Sequence, residues 1–256
     1  LYLVNTHLSA KEAIEQLLDK KRLQGKFLII EGARLNEIKA NLLEEGFTSD
    51  QVDKALNNLK IPTGFQNDNL EGLLFPANYT ILPDEEVSTL LQGALDRLSQ
   101  ELKNISFYDY AKELNLEPAE LITIASIVQA EGFTDEDFGK VSRVIYNRLK
   151  IGMPLQMDST LLYANKSRGE IRVTNRELKI ASKYNTYKYK GLPPGPICIP
   201  GKASIDAVLN FEEHKFIYMC AKEDFSGYHN YASNLTQHLQ NARKFQEALN
   251  ERNIKK

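Results

Sequence analysis

The sequence predicts an α+β chain in which helices dominate and short strands form a minority. Three observations carry that expectation. Apolar residues recur at helical spacing through most of the 256 residues, capping-type residues open several of these runs, and a few apolar runs are too short or too interrupted for helices.

Ser9 followed by Glu12 has capping-box spacing, and Ala13, Ile14, Leu17 and Leu18 line one helical face behind it. KFLII (26–30) has the length and apolarity of a buried strand. ARLNEIKANLLEEG places Leu35, Ile38 and Leu42 on one stripe and stops at Gly46, and Thr48 with Gln51 repeats the capping signal for a helix reaching Leu59. IPTGFQNDN (61–69) then marks a loop or boundary. LEGLLFPANYTILP (70–83) is apolar but broken by Pro76 and Pro83, which predicts strand and turn. Val87, Leu90, Leu91, Ala94 and Leu98 form the inward stripe of a helix over 84–104, and SFYDYAKELN (106–115) continues the helical character. Pro118 suits the first turn of a further helix, which carries Leu121, Ile124, Ala125 and Val128 and ends near Gly132. Val141, Val144, Ile145 and Leu149 predict another over 135–152. Segment 184–201 is loop, KFIYMCA (215–221) and YHNYA (228–232) are strands able to pair, and 235–251 is a closing helix.

The bulk numbers bound the function. A chain of this length buries a sizeable core, either as one large domain or as a main domain with a small companion. Hydrophobic residues are 42% and charged residues 26%, ordinary for a globular protein. The formal net charge of −2 gives no general electrostatic reason to expect nucleic acid as a partner. Without Trp, any stacking on sugar or base faces falls to the 12 Tyr and 11 Phe. The apolar runs are too short to span a bilayer, which takes roughly 20 residues. No signal peptide is evident. Cys198 and Cys220 are able to pair but form no disulfide framework.

Three segments have chemical character. In IASIVQAEG (124–132) an apolar helical run ends on a lone carboxylate and a glycine. If Gly132 stops the helix, Glu131 lies by the negative end of the macrodipole, which disfavours its ionised form. Apolar neighbours, with Asp135, Glu136 and Asp137, push the same way. A carboxyl that stays protonated near neutrality is a general acid; the plainer reading is an exposed helix end. In NRLKIGMPLQMDST (147–160), Gly152 and Pro154 force a turn and Gln156, Asp158, Ser159 and Thr160 supply short polar groups, either as a site or as a helix N-cap. In YNTYKYKGLPPGPICIPG (184–201), prolines stiffen and glycines bend a loop bearing Tyr184, Asn185, Thr186 and Tyr187, suited to lining a groove or to bracing the fold. The four histidines and two cysteines have no zinc-site spacing, and no phosphate-binding loop, dinucleotide fingerprint or nucleophile elbow is present. No cofactor is implied.

LEGLLFPANY, IASIVQAEG, VIYNRLKIGMPLQMDSTLLYA, YNTYKYKGLPPGPICIPG and SGYHNYASNLTQH stand in the order and approximate spacing of the endolytic murein transglycosylases of the MltG/YceG type. The chain resembles that family from about residue 25 to its end. The resemblance implies a LysM-like α/β subdomain over 1–62, read as incomplete, before a helix-rich catalytic domain over 63–256 with a small β-sheet. It further implies a lyase that cuts the β-1,4 bond between N-acetylmuramic acid and N-acetylglucosamine in nascent peptidoglycan, leaves 1,6-anhydro ends and terminates strand growth. The implied setting is the outer face of the bacterial cytoplasmic membrane, reached through an N-terminal helix this chain lacks, with glycan strands as substrate and peptidoglycan synthases as partners. The family's catalytic glutamate is the second acid of a motif like IVEKE. Here Gln129 stands at the first and Glu131 at the second, so the catalytic role carries to Glu131 alone. Ala77-Asn78 stand where Asp-Thr is common, and Ile199 where Asn is common. His229 and His238 match histidines of the terminal motif, with Tyr231 in place of an aromatic.

By motif match and polarity, Asn147, Gln156, Asp158, Ser159, Thr160, Tyr184, Asn185, Thr186, Tyr187 and His229 are the expected substrate-binding residues. Two rival readings stay open: a hydrolytic muramidase with Asp158 as second carboxylate, and a non-catalytic peptidoglycan-binding module.

Overall fold

The computed structural model describes residues 4–19, 25–65, 69–168, 174 and 176–254. Residues 66–68 of the expected boundary loop lie outside them. The described residues form α1 (Ala10–Leu18), β1 (Gly25–Ile29), α2 (Leu35–Glu44), α3 (Ser49–Asn57), β2 (Ala77–Ile81), α4 (Val87–Asn104), α5 (Phe107–Leu114), α6 (Pro118–Glu131), α7 (Asp135–Lys150), α8 (Asp158–Ala164), α9 (Lys202–Leu209), β3 (Tyr218–Ala221), β4 (His229–Ala232) and α10 (Leu235–Ile254). A helix-rich α+β arrangement with two small antiparallel sheets results. Among the described residues no helix is long and apolar enough to cross a membrane.

The capping boxes at Ser9–Glu12 and Thr48–Gln51 form as their spacing requires, each side chain meeting the other's backbone N–H. β1 does not pair within its own neighbourhood. It runs antiparallel to β2, from Gly25 opposite Ile81 to Ile29 opposite Ala77, with α2 and α3 as the connection. Phe27 and Ile29 of β1 enter the same buried core as Leu74, Leu91, Leu121 and Val144. β3 and β4 pair antiparallel, Tyr218 opposite Ala232 and Ala221 opposite His229.

At the centre lies α6. Every residue from Leu121 to Val128 is buried, the pattern of a helix surrounded by protein rather than facing solvent on one side. Pro118 occupies its first turn, where a missing N–H costs nothing, and Glu120 closes the cap back onto Glu117. α7, α8 and α9 pack around it. α9 has no counterpart among the expected helices; KASIDAVL is short and follows a proline-rich loop, so its periodicity is brief.

The stretch 196–201 binds α6 to the N-terminal unit. Ile197 N–H donates to Ser126 Oγ and Gly201 N–H to Gln129 Oε1. On its other side Ile199 exchanges backbone hydrogen bonds with Gly32 and Ala33. Ile199 itself is core. Cys198 and Cys220 are both free thiols, and Cys198 Sγ donates to Ser126 O.

Candidate active site

Glu131 is the last residue of α6. Gly132 ends the helix, but not through a left-handed turn: its φ is −81°, a value any residue adopts. Glycine is required because the Phe138 ring of α7 lies where a Cβ would sit. That close approach lets the chain turn directly from α6 into α7.

Glu131 Oε1 accepts the backbone N–H of Ser159 at 3.0 Å, at the opening turn of α8. Glu131 is of intermediate exposure as a residue, yet the protein around its carboxyl makes lost hydration the dominant influence, raising its pKa above the ordinary value. The Ser159 hydrogen bonds and the nearby His229 oppose that rise, and the charge of Asp158 adds to it. The like charge that matters therefore includes a distant residue of α8. Asp137, expected to repel Glu131, is engaged elsewhere.

A cavity of about 310 Å³ opens beside the carboxyl, lined among others by Arg148, Gln156, Asp158, Tyr187 and His229, with Met219, Cys220 and Ala221 of β3 and Phe245 of α10 along one wall. Asp158 accepts the Tyr187 hydroxyl at 2.5 Å. Burial raises the Asp158 carboxyl above the usual range, and the Tyr187 hydrogen bond offsets part of that. Gln156 holds a φ of +49°, uncommon for a side chain of its type, and its N–H donates to Thr186 O.

His229 meets Asp137 through Nδ1 at 2.5 Å, and Tyr231 donates to the other Asp137 oxygen at 2.7 Å. Asp137 is 2% exposed. Burial opposes its ionisation, but the hydrogen bonds from His229 and Tyr231 win and hold its carboxyl below the usual range. A carboxylate on Nδ1 fixes the imidazole's orientation and leaves Nε2 as the other ring nitrogen.

Arg148 is 4% exposed. It donates to the carbonyls of Ile217 and Leu155 and lies over the Tyr218 ring. Its hydrogen bonds therefore fix the wall of the cavity while its charge acts on Glu131.

Of the residues expected to bind substrate, the structure brings Gln156, Asp158, Tyr187 and His229 to the Glu131 cavity, with Ser159 at its edge through the N–H that meets Glu131. Thr160 and Thr186 are buried and hydrogen-bonded to each other at 2.8 Å, and Thr186 Oγ1 also accepts Met157 N–H. They clamp the 155–160 segment to the 184–189 segment. Asn185 is fully buried; its Nδ2 donates to Leu178 O and Ile180 O, and its Oδ1 accepts the N–H of Tyr187. Asn147 Nδ2 donates to His214 O and Phe216 O, anchoring the C-terminal unit to α7. Tyr184 lies against Tyr163 in a different cavity. Sequence reasoning passed over Asp137 and Arg148 as members of the site. In the sequence Asp137 stands out only as a neighbouring charge, and Arg148 only as the end of a helical face.

A model of the YceG-like family matches residues 1–244. The chain belongs to the YceG-like family. Among its relatives is an endolytic murein transglycosylase of Bacillus subtilis (strain 168), 33% identical over 214 residues, covering 77% of this chain and 59% of the relative. Another, from Streptococcus pneumoniae serotype 2 (strain D39), is 34% identical over 228 residues, covering 86% of this chain and 40% of the relative. This YceG-like chain thus spans between two fifths and three fifths of the length of those relatives. A crystal structure of a putative yceG-like protein from Listeria monocytogenes superposes with a TM-score of 0.74 at 25% identity, covering 90% of this chain and 80% of that one.

Proposed function

We propose that this YceG-like chain is the catalytic part of an endolytic peptidoglycan lytic transglycosylase, with Glu131 as its acid and base. The observation that carries the reading is a single carboxyl at the end of a buried helix, raised in pKa by burial, facing a cavity and hydrogen-bonded by Ser159. Protonated Glu131 donates its proton to the glycosidic oxygen as the C1–O bond breaks and the sugar gains oxocarbenium character. The carboxylate left behind takes the proton of the muramic C6 hydroxyl, whose oxygen attacks C1. The products are a 1,6-anhydro-muramic end and a free 4-hydroxyl on N-acetylglucosamine. Because the nucleophile belongs to the same sugar, proximity replaces an activated water.

This chain's own residues have distinct parts in that sequence. Ser159 N–H and the charge of Arg148 favour Glu131 in its ionised state, after proton donation. Tyr187 holds Asp158, and Asp137 holds His229, so that the polar groups facing the sugar keep fixed directions. Gln156 presents its side chain from a constrained backbone.

Asp158 in the same cavity favours a second reading, a two-carboxylate muramidase. A hydrolase of that type separates its acids, one kept protonated and one ionised. Here Asp158 is engaged by the Tyr187 hydroxyl at 2.5 Å, which supports a positioning part for Asp158 and with it the single-acid route. Mass spectrometry of digested glycan separates the two, because anhydro ends are lighter than reducing ends by one water. Predominantly reducing ends overturn the lyase reading. Binding without any cleavage, unchanged by Glu131→Gln, supports a non-catalytic module instead.

The wider setting belongs to the same proposal: termination of nascent strands at the outer face of the cytoplasmic membrane, alongside peptidoglycan synthases. A LysM-like identity for residues 1–62 is supported by the resemblance and by the strand–helix–helix order of β1, α2 and α3, although β1 pairs with β2 beyond that boundary.

A further inference from the structure

A second cavity, of about 540 Å³, is lined by Arg34, Lys39, Glu71, Tyr163, Lys166 and Tyr184 among others. Its unusual member is Arg34, only 8% exposed. Buried charges are ordinarily paired and hydrogen-bonded. The Arg34 guanidinium lies 5.2 Å above the Tyr163 ring, and among the described residues it has no hydrogen-bonded acceptor. The two nearest carboxylates are committed elsewhere. Glu37 is held by Arg168 through both oxygens and takes Arg34's own backbone N–H. Glu71 accepts the N–H of Leu35 and the hydroxyl of Tyr163.

The position is also a poor one for an arginine on stability grounds. Arg34 is the N-cap of α2, where Ser, Thr, Asp or Asn are favoured and a positive charge opposes the macrodipole. A cap-position guanidinium that feels the charges of Glu37 and Glu71 but is hydrogen-bonded to neither, beside the exposed Lys166 and above an aromatic pair whose ring centroids are 4.8 Å apart, has free donors to offer an anion. Arg matches carboxylates through two parallel N–H bonds.

The two cavities share α8. Asp158 at its start lines the first, and Tyr163 and Ala164 at its end line the second. Seven residues of helix span about 10 Å, the scale of a disaccharide. The loop bearing Tyr184 and Tyr187 likewise contributes one residue to each cavity.

We propose that the Arg34 cavity is an anion subsite for the free carboxylates of peptide stems carried by the glycan that occupies the Glu131 cavity. It rests on the glycan reading of the Glu131 site. Arg34 forms the bidentate contact, Lys166 adds charge at the rim, and Tyr163 and Tyr184 supply the wall against which the stem lies.

The test is equilibrium binding by titration calorimetry to the Glu131→Gln chain, so that glycan is not consumed. Three synthetic glycans of equal length serve as probes: one with peptide stems bearing free carboxylates, one with those carboxylates amidated, and one without stems. The free-carboxylate glycan binds most tightly. Adding Arg34→Gln weakens that glycan alone, by about tenfold, as expected for loss of a charge-assisted contact. Lys166→Gln, on the exposed surface, weakens it less and in the same selective manner. Without glycan, Arg34→Gln melts at the parent temperature or above it, because the lost hydration of the charge outweighs the pull of Glu37 and Glu71. Equal affinity for the three glycans, or an Arg34→Gln effect as large on the stemless one, overturns the subsite while leaving the cleavage reading intact. No binding to any of the three overturns both.

Discussion

The Glu131 carboxyl receives the Ser159 backbone N–H at 3.0 Å, joining the last residue of α6 to the first turn of α8. The contact reverses part of what the sequence implies about this acid. By its own helix, Glu131 sits at the negative end of a dipole; by its tertiary neighbour, it faces the positive end of another. Burial still outweighs that contact and keeps the pKa raised.

A raised folded pKa has a definite sign for stability. In the unfolded chain Glu131 titrates near 4.5; between that value and its higher folded value the native state holds more protons, so stability falls as pH rises. Glu131→Gln therefore melts above the parent at neutral pH, and the advantage vanishes below pH 4.5. Thermal unfolding across pH measures both. Turnover of glycan is abolished in the same variant.

Asp137 gives the opposite pH behaviour. Its depressed pKa contributes stability that is present above the ordinary 3.8 and is lost as pH falls through the folded value. Asp137→Asn removes this acid-side loss in melting curves. It also releases the His229 ring, and kcat/KM falls by about tenfold or more with an altered pH profile. A purely structural role leaves that profile unchanged.

Gln129 accepts Gly201 N–H at 2.8 Å. A carboxylate oxygen can accept the same bond. Gln129→Glu is therefore close to neutral in melting temperature and keeps glycan cleavage, whereas Gln129→Ala loses about 1 kcal/mol. Equal destabilisation by both variants contradicts the assignment.

Gly132→Ala drives a methyl into the Phe138 ring. The expected cost is about 1–3 kcal/mol in chemical denaturation, with reduced activity because the end of α6 shifts. Gly132→Ala combined with Phe138→Leu recovers part of the loss, since the smaller side chain vacates that space. A purely conformational requirement for glycine shows no such recovery.

The helices were largely legible because their signals are local. Capping pairs at Ser9–Glu12 and Thr48–Gln51, the apolar stripe of α4 and the proline opening α6 each act within a turn or two. The β3–β4 pairing was legible for a similar reason, as two short strands separated by a brief turn. The β1–β2 pairing was not, because its partners lie on either side of two helices. α9 is not legible, because one short segment offers too little periodicity. At the site, Gln156, Asp158, Tyr187 and His229 could be nominated from motif and polarity, but polarity alone does not distinguish a group facing a cavity from one bracing a loop. Asn147, Thr160, Asn185 and Thr186 carry equally polar side chains, and each is spent on backbone or on another buried group.

The sequence by itself determined that helices dominate, where most of them begin, and that Glu131 closes an unusually apolar one before a glycine. Only the tertiary structure decided what that carboxyl faces, why the glycine is needed, and that Asp137 serves His229 rather than repelling Glu131. The physical reason is range: propensity, capping and periodicity act between residues a turn apart, whereas desolvation and hydrogen bonding depend on whichever distant segments the packed core brings together.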